Sequence, residues 1–256
     1  MSFLSRYHIL IRRLIDGLRK RHFYTTAMIL GTLLSEPIAN IRTALYFRKG
    51  KKQAFHYFGM NQVEKPLGKS PILMVHGNLH NQSAWLELGK AFKENGMGPL
   101  FTLNVSFSEP LAKGKRAILE KIEEVASLYP KNPPKIHLIG HSRGALLCMM
   151  AAINGEAEKL DKGGRISYKK VANWNPYLGK LFRLGNPLSE SEREWMPNDV
   201  VSQLYEIDGS RDLIVHDKSM ADTKHKLIAS CGHLGLLYSP EVHRYIIRLI
   251  KAEKGG

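Results

Sequence analysis

The chain has 256 residues, 43% hydrophobic and 24% charged, enough for one sizeable core and too few for two ordinary domains with linkers. That balance excludes a largely disordered chain, and no run reaches the roughly 18 apolar residues of a membrane-spanning helix. The net charge of +15 allows nucleic acid, an anionic membrane face or water as its counterpart; because Lys and Arg are spread along the chain instead of gathered on one reading element, no nucleic-acid partner is expected.

The first predicted element is a basic amphipathic helix over residues 3–21. Phe3, Leu4, Tyr7, Leu10, Ile11, Leu14, Ile15 and Leu18 recur at helical spacing, and Arg6, Arg12, Arg13, Arg19, Lys20 and Arg21 fill the other face. Such a helix suits an anionic membrane surface, so residues 1–22 are the expected membrane contact, with packing on the main domain as the competing reading. Ser35-Glu36-Pro37 opens a second helix, with proline in its tolerated first turn. A basic run at 48–52 and a Gly- and Pro-containing stretch at 59–71 then mark a boundary. Residues 1–65 are read as a basic helical segment and 66–256 as the main domain. The start lacks a recognisable cleavable signal, so the expected location is the cytoplasm, peripherally on a membrane where the basic helix binds one. Cys148 and Cys231 make no disulfide framework and fit a reducing compartment.

From residue 71 strands and helices alternate. The apolar run Ile72-Leu73-Met74-Val75 reads as a buried parallel strand ending at His76-Gly77. A helix at 84–95 stops at Gly96, and a strand follows at 100–105. Ile118, Ile122, Val125 and Leu128 mark a helix that stops before Pro130. A strand at 136–139 leads straight into a helix at 145–153. Further strands are expected at 171–174, 201–207 and 227–229, and a closing helix from Pro240 to about Lys251. This order predicts an α/β fold: a mainly parallel sheet with helices on both faces, preceded by the basic helical segment. Working residues then belong beyond the carboxyl ends of the strands.

Gly140-His141-Ser142-Arg143-Gly144 is the sharpest signal, a G-x-S-x-G motif between a buried-type strand and a small-residue helix. The glycines two residues either side remove side chains that would collide in the sharp turn, and the serine hydroxyl stands at a helix N-terminus. A serine needs a base to become a nucleophile. His233, between Gly232 and Gly235 ahead of the closing helix, supplies it by position. An acid must orient that base. Asp212, past the end of the 201–207 strand, is the first choice and Asp208 the second. Two main-chain N–H groups should hold the developing oxyanion, that of Arg143 after the serine and that of Asn78 after His76-Gly77, with Leu79 as alternative. The pairs His76/His80 and His137/His141 have zinc-like spacing, but each spans a strand end and a turn and lacks the accompanying glutamate. Neither a metal nor a cofactor is expected.

The stretches VHGNLHNQSAW, IHLIGHSRGALL, IDGSRDLIV and CGHLGLLYSPEV resemble the α/β-hydrolase superfamily, within it the lipase-like esterases, over about residues 70–251. The resemblance implies an eight-strand-type sheet, reduced here, a short lid or cap around 177–200, and hydrolysis of carboxylic esters through an acyl-enzyme on Ser142, Asp212 and His233. A small-molecule or lipid ester is the expected substrate. Acyl transfer by the same three residues, or a membrane-associated binding protein without turnover, are the competing functions.

Overall fold

The computed structural model describes residues 36–50, 70–78, 80–106, 108–129, 131–153, 156–160, 166–170, 174–186, 196–212 and 226–252. The helix expected at 3–21 lies outside them. Six parallel strands form one sheet in the order β2-β1-β3-β6-β7-β8: β1 Ile72–Val75, β2 Leu100–Leu103, β3 Ile136–His141, β6 Leu178–Leu184, β7 Leu204–Gly209 and β8 Lys226–Ala229. β4 Glu156–Leu160 and β5 Ile166–Lys170 pair as a separate antiparallel hairpin that the sequence pattern did not announce. The helices are α1 Pro37–Gly50, α2 Leu86–Glu94 after a 3-10 turn at Gln82–Trp85, α3 Leu111–Ser127, α4 Arg143–Ala152, a short α5 Asn198–Val201 and the closing α6 Pro240–Lys251.

β1 is apolar at every position because both its faces are covered. Leu73 and Val75 join Leu138 and Leu181 under α3 and α4, with Ile118, Ile122, Leu147 and Met149. Ile72 and Met74 join Ile139, Phe182 and Ile207 on the opposite face, under Trp85, Leu88 and Phe92 and under Val242, Ile246 and Ile250 of α6. α6 has its expected bounds: Ser239 accepts from the Val242 N–H at 3.4 Å, Pro240 takes the first turn, and Arg248 and Lys251 sit in the last.

Two expectations change. The strand that flanks β3 on the side away from β1 is β6, which the sequence pattern missed; of the strand expected at 171–174, Trp174 has no regular structure, and 171–173 lie outside the described residues. Leu178–Leu184, assigned above to the start of a lid, is thus a fully buried part of the sheet. Its charges hid it: Lys180 donates to the Leu249 carbonyl at 2.7 Å, and Arg183 lies 3.8 Å from Glu206 and donates to Asn186 at 2.7 Å. Of the remaining lid stretch, 187–195 lies outside the described residues, while Met196 and Val200 are core.

α1 belongs to the same packing unit as the sheet. Ala39 is buried on the α6 face, Tyr46 donates to Glu87 at 2.9 Å, Thr43 and Tyr238 share a hydrogen bond of 2.9 Å, and Asn81 donates to the Phe47 carbonyl at 2.9 Å. The boundary placed at 65/66 therefore leaves on its N-terminal side a helix bound to the main domain. No helix among the described residues is long and apolar enough to cross a membrane.

Candidate active site

The bend between β3 and α4 is one residue long. Ser142 has φ 53° and ψ −123°, the one positive φ at a non-glycine among the described residues. This is a region that L-residues occupy only when the surroundings force it. The forcing contacts are tight. A Cβ at Gly140 would lie 2.4 Å from the Ala145 Cα, and one at Gly144 would lie 2.3 Å from the Val75 carbonyl oxygen. The Ser142 N–H donates to Leu184 O at 2.8 Å and its carbonyl accepts from Ala145 at 2.9 Å, so the bend is tied to β6 and to α4. The serine stays partly exposed at the helix N-terminus.

His233 follows β8 and is buried beside this bend. Its ring centroid lies 4.7 Å from that of His141, and its main-chain carbonyl accepts from His141 Nε2 at 3.0 Å. His233 Nδ1 is 2.6 Å from Asp212 Oδ2, and Asp212 is fully buried beyond the end of β7. Asp208 stays within β7, its Oδ1 accepting from the Gly209 N–H at 2.8 Å. The carboxylate fixes the proton on Nδ1, which makes Nε2 the basic end of the ring. Burial alone would lower the His233 pKa. The Asp212 charge and hydrogen bond, with the charges of Glu36 and Asp208, overcome that and raise it above 6.5. In this conformation the Ser142 hydroxyl and the His233 ring share no hydrogen bond; such contacts are often long until substrate binds.

The loop after β1 runs against the same bend, because Val75 pairs with Gly140 in register. A Cβ at Gly77 would lie 2.9 Å from Ser142 Cβ and 2.9 Å from His141 Nδ1. Asn78 follows, and Leu79 lies outside the described residues. The main-chain N–H groups of Asn78 and Arg143 donate to no described residue. The Arg143 guanidinium is held elsewhere, on the Ser106 carbonyl at 2.7 Å and on that of Glu109.

The histidine pairs with zinc-like spacing are spoken for. His76 Nε2 accepts from the Val105 N–H at 3.2 Å and its Nδ1 contacts the Gly77 carbonyl at 2.8 Å. His80 Nδ1 accepts from Asn81 at 2.9 Å and its Nε2 lies 3.4 Å from the Tyr238 hydroxyl. Burial depresses both, His80 to about 4, so they are neutral rings. His137 Nδ1 accepts from the Lys180 N–H at 3.1 Å. Among the described residues no three His, Cys, Asp or Glu side chains are grouped to hold a metal ion.

The parallel order β2-β1-β3-β6-β7-β8 carries a serine bend after β3, an acid after β7 and a histidine after β8. The chain has the α/β-hydrolase fold. No protein-family model matches the sequence, and no curated protein matches it. Among solved structures it is similar to the Bacillus licheniformis lipase BlEst2 in mature form, at 15% identity over 74% of this chain and 96% of that one, with a TM-score of 0.48. It is also similar to a cutinase-like protein from Cryptococcus sp., at 13% identity over 71% and 91% with a TM-score of 0.42. An acetylxylan esterase is similar at 14% identity over 73% and 99%, with a TM-score of 0.47.

Two residues of this candidate site escaped the sequence reading. Gly185, at φ 63°, leaves room for the base: a Cβ there would lie 2.9 Å from both Nδ1 and Cε1 of His233. Glu36 accepts from the two N–H groups that follow His233. Neither carries a local signal, since both act on a loop far along the chain.

Proposed function

We propose that this protein is a serine hydrolase of carboxylic esters. The 2.6 Å pairing of His233 Nδ1 with Asp212, beside the strained serine bend, is the observation that carries the reading. Ser142 Oγ attacks the ester carbonyl while His233 Nε2 takes its proton. The N–H groups of Asn78 and Arg143 hold the oxyanion. Collapse of the tetrahedral intermediate breaks the ester bond, and His233 returns the proton to the leaving alcohol. His233 then deprotonates a water that attacks the acyl-enzyme, releasing the acid and restoring Ser142. A moderate or long acyl chain is the preferred substrate.

A fluorophosphonate probe should label the native protein once, and Ser142→Ala should abolish labelling. Labelling that survives would move the nucleophile elsewhere. Acyl transfer uses the same groups; products formed with water and an alcohol in competition separate the two reactions.

We also propose that the basic N-terminal segment docks on an anionic membrane surface. An exposed apolar row on α1 supports it: Ile38, Ile41 and Leu45 are 71%, 60% and 63% exposed. Removing residues 1–22 should weaken binding to anionic liposomes; equal binding by both forms retires this reading.

A further inference from the structure

Glu36 stands just before α1, its carbonyl accepting the Asn40 N–H at 2.9 Å. Its carboxylate reaches across to the other end of the chain. Oε2 accepts from the Leu234 N–H at 2.8 Å and Oε1 from the Gly235 N–H at 2.6 Å. These residues directly follow His233 and open the 3-10 turn Gly235–Leu237. Glu36 is only 8% exposed, an expensive place for a carboxylate that serves packing alone. The glycines of the histidine loop make room for it. A Cβ at Gly232 would lie 2.4 Å from Glu36 Cδ, and one at Gly235 would lie 2.8 Å from Oε1.

We propose that Glu36 is a positioning residue for His233, fixing the histidine loop through two charge-assisted hydrogen bonds and adding its carboxylate to those of Asp212 and Asp208 near the imidazole. This rests on His233 being the base of the proposed reaction. Three attachments then hold that residue: Asp212 on the ring, His141 on the carbonyl and Glu36 on the following amides. The charged and titratable groups around it are Asp212, Asp208 and His141 beside His233, and Cys231, Asp212 and Arg42 beside Glu36. Arg42 lines a surface cavity together with Glu36, Gly235 and Tyr238, and lies 3.8 Å from Glu87. The Cys231 thiol is pushed up to about 12, by burial and then by Glu36 and the other nearby carboxylates, and stays neutral.

The sign of the effect separates positioning from simple packing. Removing a negative charge disfavours the imidazolium, so Glu36→Gln should lower the His233 pKa, by about half a unit or more. The amide also presents an NH2 group to one of the two N–H donors, which loosens the loop; labelling of Ser142 should slow by about tenfold or more. Glu36→Asp keeps the charge with a shorter reach, so it should retain most of the His233 pKa while still slowing labelling. The experiment is an NMR titration of the histidine rings in the full chain, with His233 assigned by its loss in His233→Gln, alongside fluorophosphonate labelling rates. A His233 pKa unchanged in Glu36→Gln overturns the proposal. Should that variant fail to fold, the wild-type protein answers: the Leu234 and Gly235 amide shifts must titrate together with one carboxyl group, and flat shifts overturn it. A wild-type chain that never reacts with the probe refutes the hydrolase reading instead, and the ring titration still reads Glu36.

Discussion

His141 Nε2 donates to the main-chain carbonyl of His233 over 3.0 Å, so the residue before the serine bend holds the residue proposed to serve that serine. His141→Leu keeps most of the bulk and leaves that buried carbonyl without its donor. A loss of about 1–3 kcal/mol in urea unfolding is expected. Ester turnover should fall with it, since the histidine loop loses one of its three attachments; full turnover in a folded variant would show that the bond does not position His233.

Ser142 sits where glycine would be at ease. Ser142→Gly and Ser142→Ala should both be inactive, yet differ in stability. Glycine relieves the strain at φ 53° that alanine keeps, a difference of about 1 kcal/mol or more in favour of glycine after its entropic cost. Thermal unfolding of the two variants measures it. Equal midpoints would mean that the bend is not strained.

Asp212→Asn should preserve the fold and lower kcat/KM by about four orders of magnitude, because the wrong imidazole tautomer then faces the serine. Asp208→Asn should have a far smaller effect, its carboxylate being occupied with the Gly209 N–H. The reverse ranking in an ester assay would transfer the acid role to Asp208.

Ser142, Asp212 and His233 could be picked out in the sequence because the elements around them carry local signals, an apolar run, a glycine-flanked turn and a capped helix; the structure brings Asp212 and His233 together. β1, β3 and α6 were legible for the same reason. β6 was not. Lys180 and Arg183 interrupt its apolar pattern, and what makes them tolerable inside a sheet comes from elsewhere: the Leu249 carbonyl, the Tyr205 ring 5.5 Å from the ammonium, and Glu206. Glu36 is unreadable on the same grounds, its amide partners lying 198 and 199 residues downstream.

Histidine titration should set both activity and stability. His233 must be neutral to act as base and its pKa is raised, so kcat/KM should fall on acidification with a midpoint above pH 6.5. For stability, the same raised value contributes fully below about pH 6.5 and is lost as pH rises through the folded-state value. His76, His80, His141 and His243 are depressed, by burial first, and work in the opposite sense. Below 6.5 the unfolded chain takes up protons that these rings refuse, so stability drops as pH falls. His80, depressed to about 4, accounts alone for about 2 kcal/mol by pH 5. Four rings outweigh one, and the urea midpoint should be lower at pH 5 than at pH 7.5. A midpoint that stays level would require charged rings inside the fold.

The docking of α1 bears on how the protein can be cut. A fragment starting at residue 66, where the composition changes, would retain all six strands of the main sheet and look complete. It would nonetheless hand the Leu234 and Gly235 amides to solvent, take Thr43 from Tyr238, and uncover apolar surface on the α6 side. Trimming from the amino terminus into α1 therefore takes away part of this fold, and with Glu36 the carboxylate that ties down the histidine loop.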